Sequence, residues 1–293
     1  MKNAILFCLL FTLFSCKIKE FNRIEYYQSV LAIDSTFHHQ NDTIATIKSY
    51  KKLFSKYNVQ NHRKYKEFER YLVLCDKKNK NFGGKKKLYK LIDLITPYKI
   101  WYTDFSFFNK YGIDSLSVIK RMKNRELKYN KILNDSCNIA FYRDYHFRAN
   151  GYDTLTMIND KKNITFFKWC LKNQGYPSRE KVGPLKNPYF NFDEIFFVHV
   201  FVYDYYPELK EKLMFYIKSG DCDPYYYANM VDRFHIKKIN TEKHGPYGYR
   251  RGMVLDERID SISINKNRKA IGLPSLKHSI LYRKDSTQIL KLK

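Results

Sequence analysis

The sequence has none of the short motifs that identify the common enzyme and metal-site classes. It contains no Cys-x-x-Cys pair and no His-x3-His pair, the usual spacings of a structural zinc site. It also has no nucleophile elbow, no paired-carboxylate motif and no phosphate-binding glycine loop. The sequence therefore predicts no metal and no cofactor, and it leaves open whether any reaction is catalysed.

Cysteine is scarce, which limits the use of disulfides as a framework. Two of the six cysteines lie in the first 16 residues, and the other four are Cys75, Cys137, Cys170 and Cys222. Four cysteines allow three complete pairings, and their spacing selects none of them, so the disulfide state stays open. Cys75 and Cys170 lie in apolar runs of helical pattern, and we expect both to be small buried residues.

Acidic residues are few compared with basic ones. The chain has 54 Lys and Arg against 29 Asp and Glu, a net charge of +25. The basic residues are spread along the whole chain, whereas a nucleic-acid module normally concentrates them in a patch or stripe. We therefore expect no nucleic-acid partner. Attraction to an anionic lipid or glycan is the expected consequence of the charge.

The apolar run at the N-terminus is too short to cross a bilayer. It extends from Ala4 to Leu13, whereas a membrane-spanning helix needs about 20 apolar residues. Lys2 precedes the run, as in an export signal, and Leu13-Phe14-Ser15-Cys16 ends it. This tetrapeptide resembles the lipobox of bacterial lipoproteins, in which the cysteine is lipidated and becomes the mature N-terminus.

The resemblance to a lipobox implies a signal peptide over residues 1–15 and acyl chains on Cys16. Several acyl chains on one cysteine would anchor the protein durably to a membrane in the cell envelope. No acidic cluster follows Cys16, which favours the periplasm over the cell surface and leaves open the inner or outer membrane. The alternatives for this segment are a single anchor helix and an ordinary cleaved signal.

Residues 16–110 are predicted to form helical hairpins. Three apolar stripes with a helical period lie near Ile44–Tyr57, Tyr65–Cys75 and Leu88–Ile95. The connections between them are short and contain Asn or Gly, as antiparallel helix pairs require. Asp42-Thr43 provides an N-cap for the first of these helices.

Residues 111–293 are predicted to form an α-rich domain. One long helix is expected from Asp114 to about Phe147, and a second from Asn159 or Asp160 to Gly175. Pro207 and Pro224 lie at the first turns of two further helices. The fold class is therefore mainly α, with N-terminal helical hairpins packed on an α-rich C-terminal domain and a small β element near residues 247–264.

Short motifs in the second half occur in the order found in an uncharacterised bacterial family. They are Asp144-x-x-x-Arg148, Gly175-Tyr176-Pro177, Val182-Gly183, Val198-His199, Asp232-Arg233, Tyr247-Gly248 and Asn267-Arg268-x-x-Ile271-Gly272-Leu273. This order resembles domain-of-unknown-function family 6624 over roughly residues 130–282. The family usually has Gln, Trp, Thr and Arg at the positions of Val198, Tyr176, Tyr249 and Asn267. A polar site that depended on that Gln and Thr would be altered here.

The family has no established reaction. The resemblance therefore implies a fold and candidate positions, but no chemistry. The catalytic candidates are His199, Asp232 and His244, and the binding candidates are Arg233, Tyr247 and Arg268. A lone His on an apolar helix face is usually a core residue, and Arg268 could be either an anion clamp or a buried partner for Asp232. Burying each polar group alone is costly, so we expect His199, Asp232, Arg233, Tyr247 and Arg268 to converge.

Two classes of function follow from these observations. The favoured one is a membrane-anchored extracytoplasmic binding or assembly module, with a protein partner or an anionic glycan or lipid as its ligand. The alternative is a hydrolase that uses His199, with Asp232 or His244 as base and orienting group. Convergence of His199, Asp232 and Arg268 in one pocket would favour the hydrolase.

Overall fold

The computed structural model of the protein describes residues 22–59, 66–187, 197, 206–239, 245–250, 253–254 and 261–278. This part of the chain is mainly α-helical, which confirms the predicted fold class. Its N-terminal helices are α1 (Arg23–Gln40), α2 (Thr43–Lys56), α3 (Lys66–Lys77), α4 (Gly84–Ile95), a 3-10 helix (Thr96–Trp101), α5 (Ser106–Asn109) and α6 (Ser115–Glu126).

Side-chain caps explain where several of these helices begin. The Asn22 side chain accepts a hydrogen bond from the Ile24 N–H at 3.0 Å, and Asp42 accepts one from the Ala45 N–H at 2.8 Å. Asp114 caps α6 in the same way through the Ser117 N–H at 2.8 Å. The cap predicted at Asp42 is therefore confirmed.

The N-terminal helices share an aromatic core, which we call the N-terminal core. Tyr50 stacks on Phe54 with a centroid separation of 5.6 Å, and Phe54 meets the edge of Phe68 at 5.3 Å. The core continues through α6, where Val118 and Met122 are buried against it. The division of the chain at residues 110–111 stays a prediction.

The prediction of one long helix from Asp114 to about Phe147 is wrong. The structure ends α6 at Glu126 and begins α7 (Lys131–Ala149) after a break. Asn130 causes the restart, because its side chain accepts a hydrogen bond from the Leu133 N–H at 2.9 Å. Its backbone N–H also donates to the Lys181 carbonyl at 3.0 Å, so it does not continue the hydrogen bonding of α6.

The C-terminal helices follow α7 along the chain. They are α8 (Asp153–Asn173), α9 (Arg179–Val182), α10 (Tyr206–Ser219), α11 (Pro224–Ile239) and α12 (Ser261–Ala270). α8 begins six residues before the predicted Asn159, which is buried inside the helix together with Asn163. The Asn163 side chain donates to the Ala140 carbonyl of α7 at 3.0 Å. None of the helices in the described ranges is long and apolar enough to cross a bilayer.

The small β element is a two-stranded antiparallel pair. Strand β1 (Tyr249–Arg250) pairs with β2 (Met253–Val254), and Tyr249 lies opposite Val254. Both strands lie within the predicted range of residues 247–264, but Ser261–Ile264 form the first turn of α12 rather than a strand. Gly272, with a φ of +85°, follows α12, which ends at Ala270.

A second group of buried residues, the C-terminal core, fills the space between α7, α8, α10 and α11. Its fully buried members include Phe167, Phe197, Leu213 and Ile217. Cys75 of the N-terminal core and Cys137, Cys170 and Cys222 of the C-terminal core are all buried thiols. The expectation that Cys75 and Cys170 are small buried residues is therefore confirmed, and burial raises the pKa of Cys170 to about 12.

Helix α1 contacts both halves of the molecule. Tyr26 and Tyr27 belong to the N-terminal core, whereas Ile24 packs against the C-terminal core. The Gln28 side chain donates to the Lys269 carbonyl at 3.1 Å, at the end of α12. Part of the surface of each half is thus covered by the same helix.

Candidate functional site

Asp232 lies at the centre of the described part of the predicted site. It belongs to α11 and is completely buried, with 0% of its surface exposed. Its two carboxylate oxygens accept hydrogen bonds from the backbone N–H groups of Tyr247, at 2.8 Å, and Tyr249, at 2.6 Å. A Cβ on Gly245 would lie 2.3 Å from the Asp232 Cα, so the chain can pass this close only because residue 245 is glycine.

Arg268 of α12 holds the same segment from another side. It is also 0% exposed, and its Nη1 donates to the Tyr247 carbonyl at 2.8 Å. Its Nε donates to the Pro274 carbonyl at 2.6 Å, and its guanidinium carbon lies 5.0 Å from the centroid of the Tyr249 ring. Arg268 therefore joins residues 245–250 to the turn that follows α12.

Two neighbouring amide groups complete these contacts. Asn267 donates to the Pro246 carbonyl at 3.0 Å, and the Asn265 side chain accepts from the Leu276 N–H at 2.9 Å. Asn267 stands where the resembled family usually has Arg, and the amide still bonds the loop. Each of these side chains of α12 bonds the backbone of a connecting segment.

Burial dominates the electrostatics of Asp232. It raises the pKa of the carboxyl from its ordinary 3.8 to about 7, against the opposing effects of the Tyr249 and Tyr247 N–H groups and the charge of Arg268. A pKa near 7 suits general acid–base catalysis. Both oxygens are nevertheless bonded to the backbone and shielded from solvent, so a substrate could reach them only if residues 245–250 moved away.

The structure brings together three of the five residues that were expected to converge. These are Asp232, Tyr247 and Arg268, and the hydrogen bonds given above use the backbone of Tyr247. The ring of Tyr247 packs on the edge of Tyr227, with centroids 6.1 Å apart. Arg233 is half-buried and follows Asp232 on α11, where successive side chains diverge by about 100°. His199 and His244 lie outside the described residues, as does Cys16, so their roles stay predictions.

A second buried charged cluster, which the sequence analysis missed, lies where α1 meets α3 and α9. We call it the seam cluster; it consists of Arg23, Tyr26, Glu67, Tyr98 and Glu180. The guanidinium carbon of Arg23 lies 4.7 Å from the centroid of the Tyr26 ring, and Arg23 is 0% exposed. Tyr26 donates to Glu67 at 3.1 Å, and Tyr98 donates to Glu180 at 3.4 Å.

Burial again controls the charges in the seam cluster. It lowers the pKa of Arg23 and raises the pKa of both Glu67 and Glu180, while the attraction between Arg23 and the two carboxylates opposes each shift. The members come from positions up to 157 residues apart in the chain. No spacing or motif joins such distant positions, and therefore no sequence signal indicated the cluster.

The described residues contain no group of three or more His, Cys, Asp and Glu side chains that could hold a metal ion. Comparison with family models, with curated proteins and with solved structures found no match for this chain. The resemblance to family 6624 and the lipobox therefore stay predictions.

Proposed function

We propose that the protein is a membrane-anchored extracytoplasmic binding module, held in the cell envelope by acyl chains on Cys16 and facing the periplasm. The apolar run and the Leu-Phe-Ser-Cys segment support the anchor. Without residues 1–15, which contain Lys2 as their charged residue, the net charge is 25 − 1 = +24. Such a charge favours an anionic ligand, partner or membrane surface.

One observation favours binding over catalysis. Asp232 and Arg268, two residues that the hydrolase alternative needs in a pocket, are completely buried and bonded to backbone groups of the loop and the following turn. Groups used in this way stabilise the fold. A carboxylate that is enclosed on both oxygens offers no position for a reacting atom, which must lie about 3 Å from the catalytic groups.

The anchor is tested by the Cys16→Ala variant, expressed in a bacterial host that processes lipoproteins. We expect the wild-type protein to partition into the detergent phase as a mature lipidated form, and the variant to remain unprocessed or to be released as an exported soluble form. A Ser15→Ala variant is the matched control, because a small residue is kept before Cys16. A Cys16→Ala protein that is still lipidated and processed would reject Cys16 as the anchor.

The binding function is tested by purifying the lipidated protein from membranes and identifying co-purifying proteins and small molecules by mass spectrometry. We expect at least one species that is retained in stoichiometric amount. The hydrolase alternative predicts activity on ester, amide or glycoside substrates that is lost in His199→Ala with unchanged folding. Such an activity would contradict a purely binding role.

A further inference from the structure

An apolar groove of about 620 Å³ lies between the 3-10 helix, α6 and the segment that follows α9. The groove is within the roughly 300–1,000 Å³ typical of small-molecule sites. Its wall comes from both halves of the chain: residues 97–105 and 119–123 contribute one part, and residues 184–185 the other. The apolar side chains that line it include Ile100, Tyr102, Phe105, Ile119, Met122 and Leu185.

The floor and the rim of this groove differ in exposure. Tyr102, Met122 and Leu185 are 4–5% exposed and form a dry apolar floor, whereas Ile119 is 39% exposed at the rim. An apolar body that covered these side chains would remove their remaining surface from water, which contributes about 25 cal/mol per Å².

Both charged side chains among the described lining residues are lysines. Lys99 lies 2.5 Å from Glu126, so its charge is partly compensated. Lys123 is exposed on α6, one helical turn after Ile119, and the two side chains therefore lie next to each other on the same face. The groove thus presents an apolar surface with an exposed positive charge beside Ile119.

The contacts around the groove hold its walls in place. The Arg179 Nε donates to the Pro97 carbonyl at 2.8 Å, and its guanidinium carbon lies 4.8 Å from the centroid of the Trp101 ring. On the other side, Arg121 of α6 bonds Asp93 of α4 at 2.6 Å. These contacts join the 3-10 helix to α9 and α6 to α4, the elements that carry the groove walls.

We propose that this groove binds a soluble single-chain amphiphile with an anionic head, such as a medium-chain fatty acid. The alkyl chain would lie along Ile100, Phe105 and Met122, and the carboxylate would lie at Lys123. This assignment rests on the proposed binding function and names its ligand class. The complementarity of an apolar floor and an adjacent lysine supports an amphipathic anion over a neutral or cationic compound.

The test is isothermal titration of the full mature protein with dodecanoate below its micelle concentration. We expect saturable binding at one site, much weaker binding of dodecyltrimethylammonium, which reverses the head charge, and no binding of butanoate, which lacks the chain. Absence of saturable dodecanoate binding, or equal binding of the cationic amphiphile, would overturn the proposal.

Two matched pairs of variants locate the site. Ile119→Glu should weaken dodecanoate binding by about tenfold or more, because a charge replaces apolar contact area at the rim. Ile132→Glu, at a position 81% exposed on α7, should leave it unchanged. Lys123→Glu should weaken binding by about fivefold, and Lys120→Glu on the same helix should not. Circular dichroism and thermal melts would verify that all four variants fold.

Further outcomes separate this site from the proposed function. Equal dodecanoate affinity in Ile119→Glu, Lys123→Glu and wild type would overturn the groove as the site. Binding only to vesicles that contain anionic phospholipid, with none to dodecanoate, would overturn a soluble amphiphile in favour of a membrane surface. If the lipidated Ile119→Glu protein still retains every species found with wild type, the groove assignment fails while the binding function stands.

Discussion

Asp232 and Arg268 bind the same residue from the two ends of its backbone. The Tyr247 N–H donates to Asp232 at 2.8 Å, and the Tyr247 carbonyl accepts from Arg268 at 2.8 Å. The helices α11 and α12 are thereby joined through one peptide segment that lies between them in the sequence. The opposite charges also lie close enough for Arg268 to favour the ionised form of Asp232.

We predict that Arg268→Ala lowers the free energy of unfolding by about 3–5 kcal/mol, because two backbone carbonyls lose their donor and the buried Asp232 loses its compensating charge. Chemical denaturation would measure the change. Lys269→Ala, at the exposed neighbouring position, should change the stability by less than about 0.5 kcal/mol. A small effect of Arg268→Ala, together with lost ligand binding, would instead indicate a binding residue.

The raised pKa of Asp232 predicts a pH-dependent contribution to stability. Between its ordinary pKa of 3.8 and about 7, the folded protein keeps a proton that the unfolded chain has released. Stability therefore falls as the pH rises through this range, by on the order of 4 kcal/mol for this group. Asp232→Asn cannot titrate, so the stability advantage of wild type over this variant should be largest near pH 4 and shrink toward pH 8. An advantage that grows with pH would show that the N–H groups and Arg268 outweigh burial.

The seam cluster predicts that Arg23→Ala is strongly destabilising. The substitution leaves Glu67 and Glu180 buried without the nearby positive charge, which costs about 3–5 kcal/mol in comparable buried pairs. Because α1 contacts both cores, the thermal melt should also become broader or biphasic in calorimetry. Lys51→Ala, on the exposed face of α2, serves as the control. A single sharp transition with less than about 1 kcal/mol lost would show that the cluster is not coupled to the joining of the two halves.

Gly183 is predicted to be irreplaceable because Tyr129 packs directly on it. A Cβ at this position would lie 2.4 Å from the Tyr129 ring, in a backbone with a φ of +80°. Gly151 has a φ of +71° and open space around it, so Gly151→Ala measures the strain of a positive φ without a steric clash. We expect Gly183→Ala to lose about 1–3 kcal/mol more than Gly151→Ala. In a Tyr129→Ala background this difference should shrink by the cost of the clash. The part that remains is backbone strain, because Gly183 has a ψ of −175°, in a region that is essentially restricted to glycine. An unchanged difference would show that Tyr129 is not the cause.

The helical period of the apolar residues was sufficient to predict α2, α3 and α4, because each of these helices buries one face. It did not indicate α1, which contacts both cores. Helix ends were predicted where a nearby side chain determines them, as at Asp42. They were missed where a group distant in the sequence determines where the helix begins or ends. The break at Asn130 depends on the Lys181 carbonyl, 51 residues later. The start of α8 was also missed, because Asn159 was interpreted as a helix cap although it is buried inside the helix.

The candidate site was predictable only in part, and for a related reason. Asp232, Tyr247 and Arg268 were selected by their resemblance to motifs of a family, and the structure places them in one network of hydrogen bonds. The sequence could not predict that Asp232 and Arg268 form hydrogen bonds with backbone groups, because nearly every residue type carries the same backbone N–H and carbonyl groups. Arg23, Glu67 and Glu180 had no motif at all, and only the packing of α1 between the two cores brings them together.

If Cys16 carries the proposed lipid, the position of α1 limits how the molecule can be oriented at a membrane. Cys16 and Asn22 are six residues apart, and six residues span at most about 20 Å even when fully extended. With its lipid on Cys16, the protein would be tethered by a connecting segment that is shorter than the thickness of the bilayer. The start of α1, together with the Gly272 turn that packs against Tyr27, would then point toward the headgroups. Faces on the opposite side of the molecule would be the ones presented to the periplasmic space.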